Sequence, residues 1–317
     1  MPETRARAAY RTWMVDSRRW DAYRPRAGDI VVATYPKCGT TWMQQIVNLL
    51  IFQTPDPRDL GEISPWIDRR VGTPLEAVLS RLDAQAHQRS MKSHLPFDAL
   101  PIFDEVRYIH VARDGRDACM SYHNQITRFK PEMIEALSKS GLEDETIGKP
   151  YPTIPADVTA YFRMWLTEGL GGATDGMPFV SYFDLEKTYW TERHRPNLLM
   201  VHYRDLKADL AGEMRRVARF LNISVPEKIF PALVQAATFE EMRRVGHRLM
   251  PRVLHTFEGG ADRFFYKGEN ERWRRVFAAN DLALYDLKLK ANLSPACAAW
   301  LERGRLGCEI DPSAVPD

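Results

Sequence analysis

Residues 34 to 42 read TYPKCGTTW and follow the apolar run IVVA. A lysine, a glycine and two threonines so close together are the parts of an anion cradle. Pro36 fixes one φ, and Gly39 lets the backbone approach a ligand closely. Thr40 and Thr41 open a helix whose first N–H groups and hydroxyls stand at the positive end of its dipole. Lys37 precedes the glycine, whereas the ATP-binding loop GxxxxGK[ST] carries its lysine after it. The ammonium would therefore stand beside the far oxygens of the anion instead of reaching over from the helix. The bland alternative is an ordinary strand-turn-helix with a lysine in solvent. A second pair of residues suited to chemistry lies in SMKSHLPF. On a strand, Lys92 and His94 fall on one face and converge on one centre. An imidazole with an unperturbed pKa of about 6.5 suits a general base acting on a hydroxyl.

These residues need a frame, and the chain supplies one. Apolar runs at 29–33, 106–111 and 198–203 alternate with helical periodicity, which predicts βαβ units. Met43, Ile46, Val47 and Leu50 form one helical stripe, and Leu210, Met214, Val217 and Leu221 another. The reading is a single α/β domain over 1–317 with a central, mainly parallel sheet flanked by helices. Two stretches lack that regularity. Segment 129–155 is polar and proline-bearing, a surface excursion expected to contribute to an acceptor pocket. Segment 243–275 is basic, with Gly259-Gly260 at its centre, and is read as a lid.

Composition limits what the frame can do. In 317 residues, 44 Lys plus Arg against 42 Asp plus Glu leave a formal charge of +2, too little for a protein that coats nucleic acid, so any anion site is local. Cys38, Cys119, Cys297 and Cys308 are scattered, without a CxxC pair or zinc-ligand spacing; no metal is implied, and reduced thiols in a cytoplasm are expected. The N-terminal stretch has no apolar signal-peptide core, and no run approaches the roughly 20 apolar residues of a membrane span.

The full string TYPKCGTTW resembles the 5′-phosphosulfate-binding loop of the cytosolic sulfotransferase family, whose usual form is YPKSGTTW. Those enzymes have a P-loop-like fold and move a sulfuryl group from 3′-phosphoadenosine 5′-phosphosulfate (PAPS) to an alcohol, phenol or amine. The resemblance implies that Lys37 contacts the leaving phosphate, that Gly39, Thr40 and Thr41 bind its oxygens, and that Trp42 packs on adenine. Cys38 replaces the usual serine, its backbone N–H still free to serve the phosphate. YIHVARDGRDACMSYHNQ resembles the family's 3′-phosphate segment, implying Arg113 and Ser121 as ligands. SMKSHLPF resembles the KTHLP segment, implying His94 as general base, with Lys92 and Lys37 meeting the negative charge that builds during transfer.

Later matches are shorter. TFEEM resembles SFKEM and implies Thr238 and Phe239 as nucleotide contacts; Tyr203, in VHYRDL, stands where the family has an adenine-binding tyrosine. FFYKGENERW resembles FxRKGxxGDW. Lys267, Gly268 and Trp273 match, while Tyr266 replaces the arginine that normally joins Arg113 and Glu271 replaces a glycine. Arg263, Arg272 and Arg274 are nearby cations that compensate on this reading. RRVFAANDLA does not reproduce the family's KxxxTVxxxE dimer motif, which leaves the oligomeric state open.

The expected function is PAPS-dependent transfer to a hydroxyl or amine of a small, hydrophobic acceptor, with 3′,5′-ADP (PAP) as product. The acceptor pocket is expected to draw on PWIDRR, SYHNQITRF and segment 129–155. Two alternatives remain at this level: a non-catalytic nucleotide-binding protein on the same frame, and a P-loop nucleoside or nucleotide kinase, which should show a GK[ST] string that this sequence lacks.

Overall fold

A computed structural model describes residues 6–265 and 267–308. Strands β1 (Ile30–Ala33), β2 (Ser90–Ser93), β3 (Arg107–Ala112) and β4 (Leu198–His202) form a parallel sheet in the order β2-β1-β3-β4. The helices that bear on the site are α1 (Thr40–Phe52), α2 (Gly115–Ile126), α3 (Pro131–Leu142), α4 (Tyr182–Glu192), α5 (Leu210–Phe220) and α6 (Phe239–Arg244).

The sheet is covered on both faces, which is why β1 is buried along its whole length and reads as an unbroken apolar run. Ile30 and Val32 join Ile109, Val111, Leu199 and Val201 on one face. Against them lie the stripe Met43, Ile46, Val47 and Leu50 of α1 and the stripe Met214, Val217 and Leu221. Val31, Ala33 and Tyr108 face the other way, into a cluster rich in aromatic rings. At its centre Tyr35 accepts a hydrogen bond from Trp165 Nε1 at 2.8 Å and meets Tyr182 edge-on at 5.2 Å.

Strand order and register place the chemistry. The chain leaves β1 for β2 on one side and then crosses to β3 on the other, so the connections diverge beside the carboxyl ends of β1 and β3. A crevice forms at such a switch point. Ala33 pairs with both Ser93 and His110, so Thr34 and His94 leave the sheet side by side. Ala112 pairs with His202, which sets Arg113 and Tyr203 together on the same rim.

Two sequence expectations change in detail. Strand β2 ends at Ser93, so His94 is the first residue past the strand instead of its last member. The polar excursion 129–155 contains α3: Pro131 starts it, and Met133, Leu137 and Gly141 supply a buried stripe at a spacing of four. The basic stretch 243–275 lacks a sustained period because it is a series of short turns, at Gly246–Leu249, Pro251–His255, Gly260–Phe264 and Arg272–Arg275. Among the described residues no helix is long and apolar enough to cross a membrane.

Behind the rim, one buried polar unit locks β1, β3 and α4 together. His110 Nδ1 donates to the Ala33 carbonyl at 2.9 Å, Nε2 faces Glu186 Oε2 at 2.9 Å, and the ring stacks on Tyr189 at 3.8 Å. Burial raises the pKa of the Glu186 carboxyl, while His110 opposes the rise. Removing one member of such a pair strands the other in the core. Glu186→Ala is therefore expected to cost about 3 to 5 kcal/mol, read from urea unfolding; a loss below about 1 kcal/mol, the ceiling for an exposed pair, would show that the unit carries little of the stability.

Candidate active site

The cradle is built as its residue types require. Lys37 takes a left-handed backbone (φ 70°), and Gly39 caps α1 at φ 108°. A Cβ on Gly39 would stand 3.0 Å from the Tyr203 ring, so glycine answers both the conformation and the close approach. Thr40 Oγ1 lies 2.6 Å from Thr34 Oγ1, closing the turn onto the end of β1. Trp42 donates Nε1–H to the Ala237 carbonyl at 2.7 Å and meets Tyr203 edge-on at 5.2 Å.

Arg113 ties this loop to two others. Its Nη1 donates to the Lys37 carbonyl and to Ser121 Oγ, both at 3.2 Å. Nη2 donates to the Glu269 carbonyl at 2.8 Å, and Asn270 Oδ1 accepts from Nη2 at 3.0 Å and Nε at 3.2 Å. The guanidinium also lies 4.2 Å from the centre of the Tyr203 ring. These hydrogen-bond partners are all neutral; among the described residues Arg113 forms no ion pair, although its charge favours the ionised form of the buried Asp117 carboxyl against the effect of burial.

His94 and Lys92 line the same cavity as Lys37 and Arg113. His94 is 6% exposed. Its Nδ1 donates to the Thr34 carbonyl at 2.8 Å, which fixes the tautomer and leaves Nε2 with its lone pair. Trp66 meets the imidazole edge-on at 4.9 Å. Asp68, fully buried, accepts from Trp66 Nε1 at 2.7 Å, Trp20 Nε1 at 3.1 Å and the His94 N–H at 3.2 Å. The Lys92 ammonium sits 4.3 Å over Trp66, and that of Lys37 sits 4.5 Å over Phe264. Among the described residues neither lysine forms an ion pair.

Crowded positive charge sets the protonation states. Burial, and then Arg113, brings Lys37 down to about 8. Burial, and then Arg69, brings Lys92 down to about 7 against the opposing pull of Asp68. Burial, followed by Lys92, holds His94 well below the ordinary imidazole value, so the ring is neutral at neutral pH. A neutral, oriented imidazole beside two ammonium groups suits proton abstraction next to a site where negative charge develops.

One cavity of about 320 Å³ is lined by Lys37, Gly39, Thr40, Thr41 and Trp42, by Lys92 and His94, by Arg113 and Ser121, and by Tyr203, Phe239, Lys267 and Gly268. It also takes in Trp66, Tyr122, Phe129 and Met133, from the stretches expected to form an acceptor pocket. Two expected contacts stand apart. Cys38 is fully buried and does not line the cavity; its N–H donates to the Tyr35 carbonyl at 3.3 Å. Thr238 does not line it either, because its hydroxyl caps α6, accepting from the Glu241 N–H at 3.3 Å and donating to the Gln235 carbonyl at 2.9 Å. Tyr266 lies outside the described residues. Trp273 is buried under the Arg116 guanidinium at 3.9 Å, a structural position.

Gly268 is demanded by the fold: at φ 64° a Cβ would meet the Phe239 ring at 2.8 Å. Glu271 occupies a left-handed position (φ 62°) and is held there by its N–H on Asp117 at 2.9 Å and by its carboxylate on Arg204 and Arg274. Sequence reasoning gave no role to Thr34, Asp68 or Asn270. Thr34 lay inside the quoted loop; the other two carry no local signal.

A family model described as the sulfotransferase domain matches residues 27–294. The chain is 34% identical over 320 residues to a glycolipid sulfotransferase of Mycobacterium tuberculosis, covering 97% of each protein. It is 23% identical over 286 residues to sulfotransferase 1B1 of Mus musculus, covering 87% of this chain and 86% of that one. Among solved structures, retinol dehydratase in complex with androsterone and inactive cofactor PAP is similar in fold, with a TM-score of 0.67 at 21% identity over 89% of this chain and 87% of that one.

Arg113 is the tie between the cradle, α2 and the 267–271 loop. Arg113→Ala is expected to free that loop, and limited trypsin digestion should then cut at Lys267 or Arg272 severalfold faster than in the parent protein. An unchanged cleavage rate would mean that the loop is held by other contacts.

Proposed function

The chain belongs to the sulfotransferase domain family, and from that membership we propose that it transfers a sulfuryl group from PAPS to the hydroxyl or amine of a small acceptor, with His94 as the base. The observation that carries this reading is that Lys37, Lys92, His94, Arg113 and Ser121 line a single cavity, with His94 tied at Nδ1 and open at Nε2. The cavity residues fit the donor: Gly39 leaves a cradle that a Cβ would fill, and Arg113 offers a charge with neutral partners only. Arg113, Ser121, Lys267 and Gly268 would hold the 3′-phosphate end, Trp42, Tyr203 and Phe239 the adenine, and Lys37, Gly39, Thr40 and Thr41 the 5′ end.

When bound, PAPS supplies an activated sulfuryl group whose S–O bond to the phosphate breaks as the bond from the acceptor oxygen or nitrogen forms. His94 Nε2 takes the acceptor's proton. Lys37 meets the charge that collects on the phosphate oxygen left behind, and Lys92 meets that on the transferring group. Positioning and electrostatics dominate such a transfer. The kinship to a glycolipid sulfotransferase supports an acceptor with an apolar body that carries hydroxyl groups.

His94→Ala is expected to lower kcat for labelled sulfate transfer by about two to four decades, with the affinity for 3′,5′-ADP kept within a few-fold. If transfer persists at the parent rate, His94 is not the base. Lys37→Ala is expected to weaken 3′,5′-ADP binding by roughly one to two decades, the worth of one charge-assisted contact; unchanged binding by calorimetry would remove Lys37 from the donor site.

The lysines also give binding a pH dependence of definite sign. An anion that needs them protonated raises their pKa in the complex. Below the free values of about 8 and about 7 both states carry the protons and affinity is level. As pH rises through them, binding must take up protons, and affinity falls by up to about tenfold per pH unit for each lysine. A 3′,5′-ADP affinity that holds level or rises between about pH 7 and 9, the span around those two values, would contradict this assignment.

A further inference from the structure

Beyond the donor residues, the cavity lining combines apolar side chains with charge that the transfer reaction does not use. Met14, Val78, Phe129, Met133, Met250 and Phe257 supply the apolar part. Four of the arginines in the lining fall into two kinds. Arg81 and Arg252 are neutralised by Glu62, with Asp59 a further partner of Arg252. Arg69 and Arg128 form no ion pair among the described residues, and each has a buried Nε without a hydrogen-bond acceptor. Leaving a buried donor unpaired is costly, and an arginine in a pocket with no acceptor of its own is matched to one brought by a ligand.

The placement of the two separates them from the donor. Arg69 lies 5.7 Å from the Trp66 ring, next to the aromatic that abuts His94, and its charge reaches Lys92. Its neighbour Arg70 is fully engaged, on the Thr12 carbonyl at 2.9 Å and on Asp144 at 2.8 Å, so Arg69 is not simply one end of a structural pair. Ser121 and Gln125 line the cavity one turn apart on α2, and Arg128 lines it from the turn that follows, two residues past the helix end at Ile126. Phe129 and Met133 adjoin it in the lining.

We propose that the acceptor carries, besides its hydroxyl and apolar body, an oxyanion group that Arg69 and Arg128 bind. The proposal rests on the sulfotransferase reading and narrows its substrate class to anionic amphiphiles: hydroxylated acids, or alcohols bearing a phosphate or sulfate ester.

The test uses the full chain with labelled PAPS and three acceptors of one body: 12-hydroxydodecanoate, its methyl ester and 12-hydroxydodecyl phosphate. The expected result is that at least one anionic acceptor exceeds the ester in kcat/KM by about tenfold or more, the worth of a charge-assisted contact. Which of the two does so separates a carboxylate from a phosphate ligand. Arg69→Gln and Arg128→Gln should each collapse that ratio while 3′,5′-ADP affinity persists, which also reports that the variants are folded. An ester turned over as well as both anions, or a ratio untouched by either substitution, overturns this inference and leaves the transferase reading standing. Variants that lose 3′,5′-ADP binding while remaining folded by circular dichroism assign the guanidinium groups to the donor and overturn it as well. Transfer to none of the acceptors, together with no binding of 3′,5′-ADP, overturns the parent reading and this one with it.

Discussion

A guanidinium with only neutral partners joins the parts of this site. Arg113 takes its position from the end of β3 and gives hydrogen bonds to the Lys37 carbonyl, the Ser121 hydroxyl and the Glu269–Asn270 turn. The cradle after β1, the first turns of α2 and the basic loop near residue 270 are far apart in sequence, yet each is registered against the same planar group. Carbonyl and hydroxyl dipoles can hold an arginine in place, and only an anion can discharge it. The fold therefore fixes the geometry of the crevice while pairing Arg113 directly with no carboxylate among the described residues.

That charge has a cost in the free protein. Among the described residues Lys37, Lys92 and Arg113 form no ion pair with a carboxylate, and Asp68, the buried acid beside Lys92, is occupied with two indole N–H groups and the His94 N–H. Repulsion and burial are relieved by giving up protons, so the two lysine values come down toward neutrality and the imidazole is driven further. A polyanion reverses each of these effects together. On the proposed reading, donor binding and the readiness of His94 as a base share one electrostatic origin.

How much of this could be read in the sequence depends on range. TYPKCGTTW is legible because strand end, tight turn and helix start fall within a few residues and each has its own local chemistry. The sheet was legible because a strand buried on both faces cannot hide its apolar run. Helix α3 was not, because its buried stripe of Met133, Leu137 and Gly141 is thin and ends in a glycine. Asp68 and Asn270 were invisible for a different reason: what they do depends on partners that only folding brings near, His94 for one and Arg113 for the other. Thr238 shows the converse. Its string matched, yet its hydroxyl goes to the local task of capping a helix, and only the ring of the next residue, Phe239, reaches the cavity. Glu271, where the family string has a glycine, is likewise explained only by the fold: Asp117, Arg204 and Arg274 hold it in the backbone conformation that a glycine would adopt freely.

Thr34 shows how the cradle and the base are kept in step. Its hydroxyl meets Thr40 at 2.6 Å, and its carbonyl accepts the His94 Nδ1–H at 2.8 Å. The hydroxyl thus serves the anion loop first, with a longer contact to His94 Nδ1 at 3.4 Å, and the backbone serves the imidazole. The carbonyl is the shorter of the two contacts to Nδ1, at 2.8 Å against 3.4 Å for the hydroxyl, and it is present whatever residue occupies the position, so the course of β1 past Ala33 is the main determinant of the His94 tautomer. The strand is in turn anchored at Ala33 by His110, which is braced by Glu186 and Tyr189. The orientation of the His94 ring is therefore largely a property of the sheet, transmitted through one peptide unit, and it leaves Nε2 as the nitrogen with the lone pair.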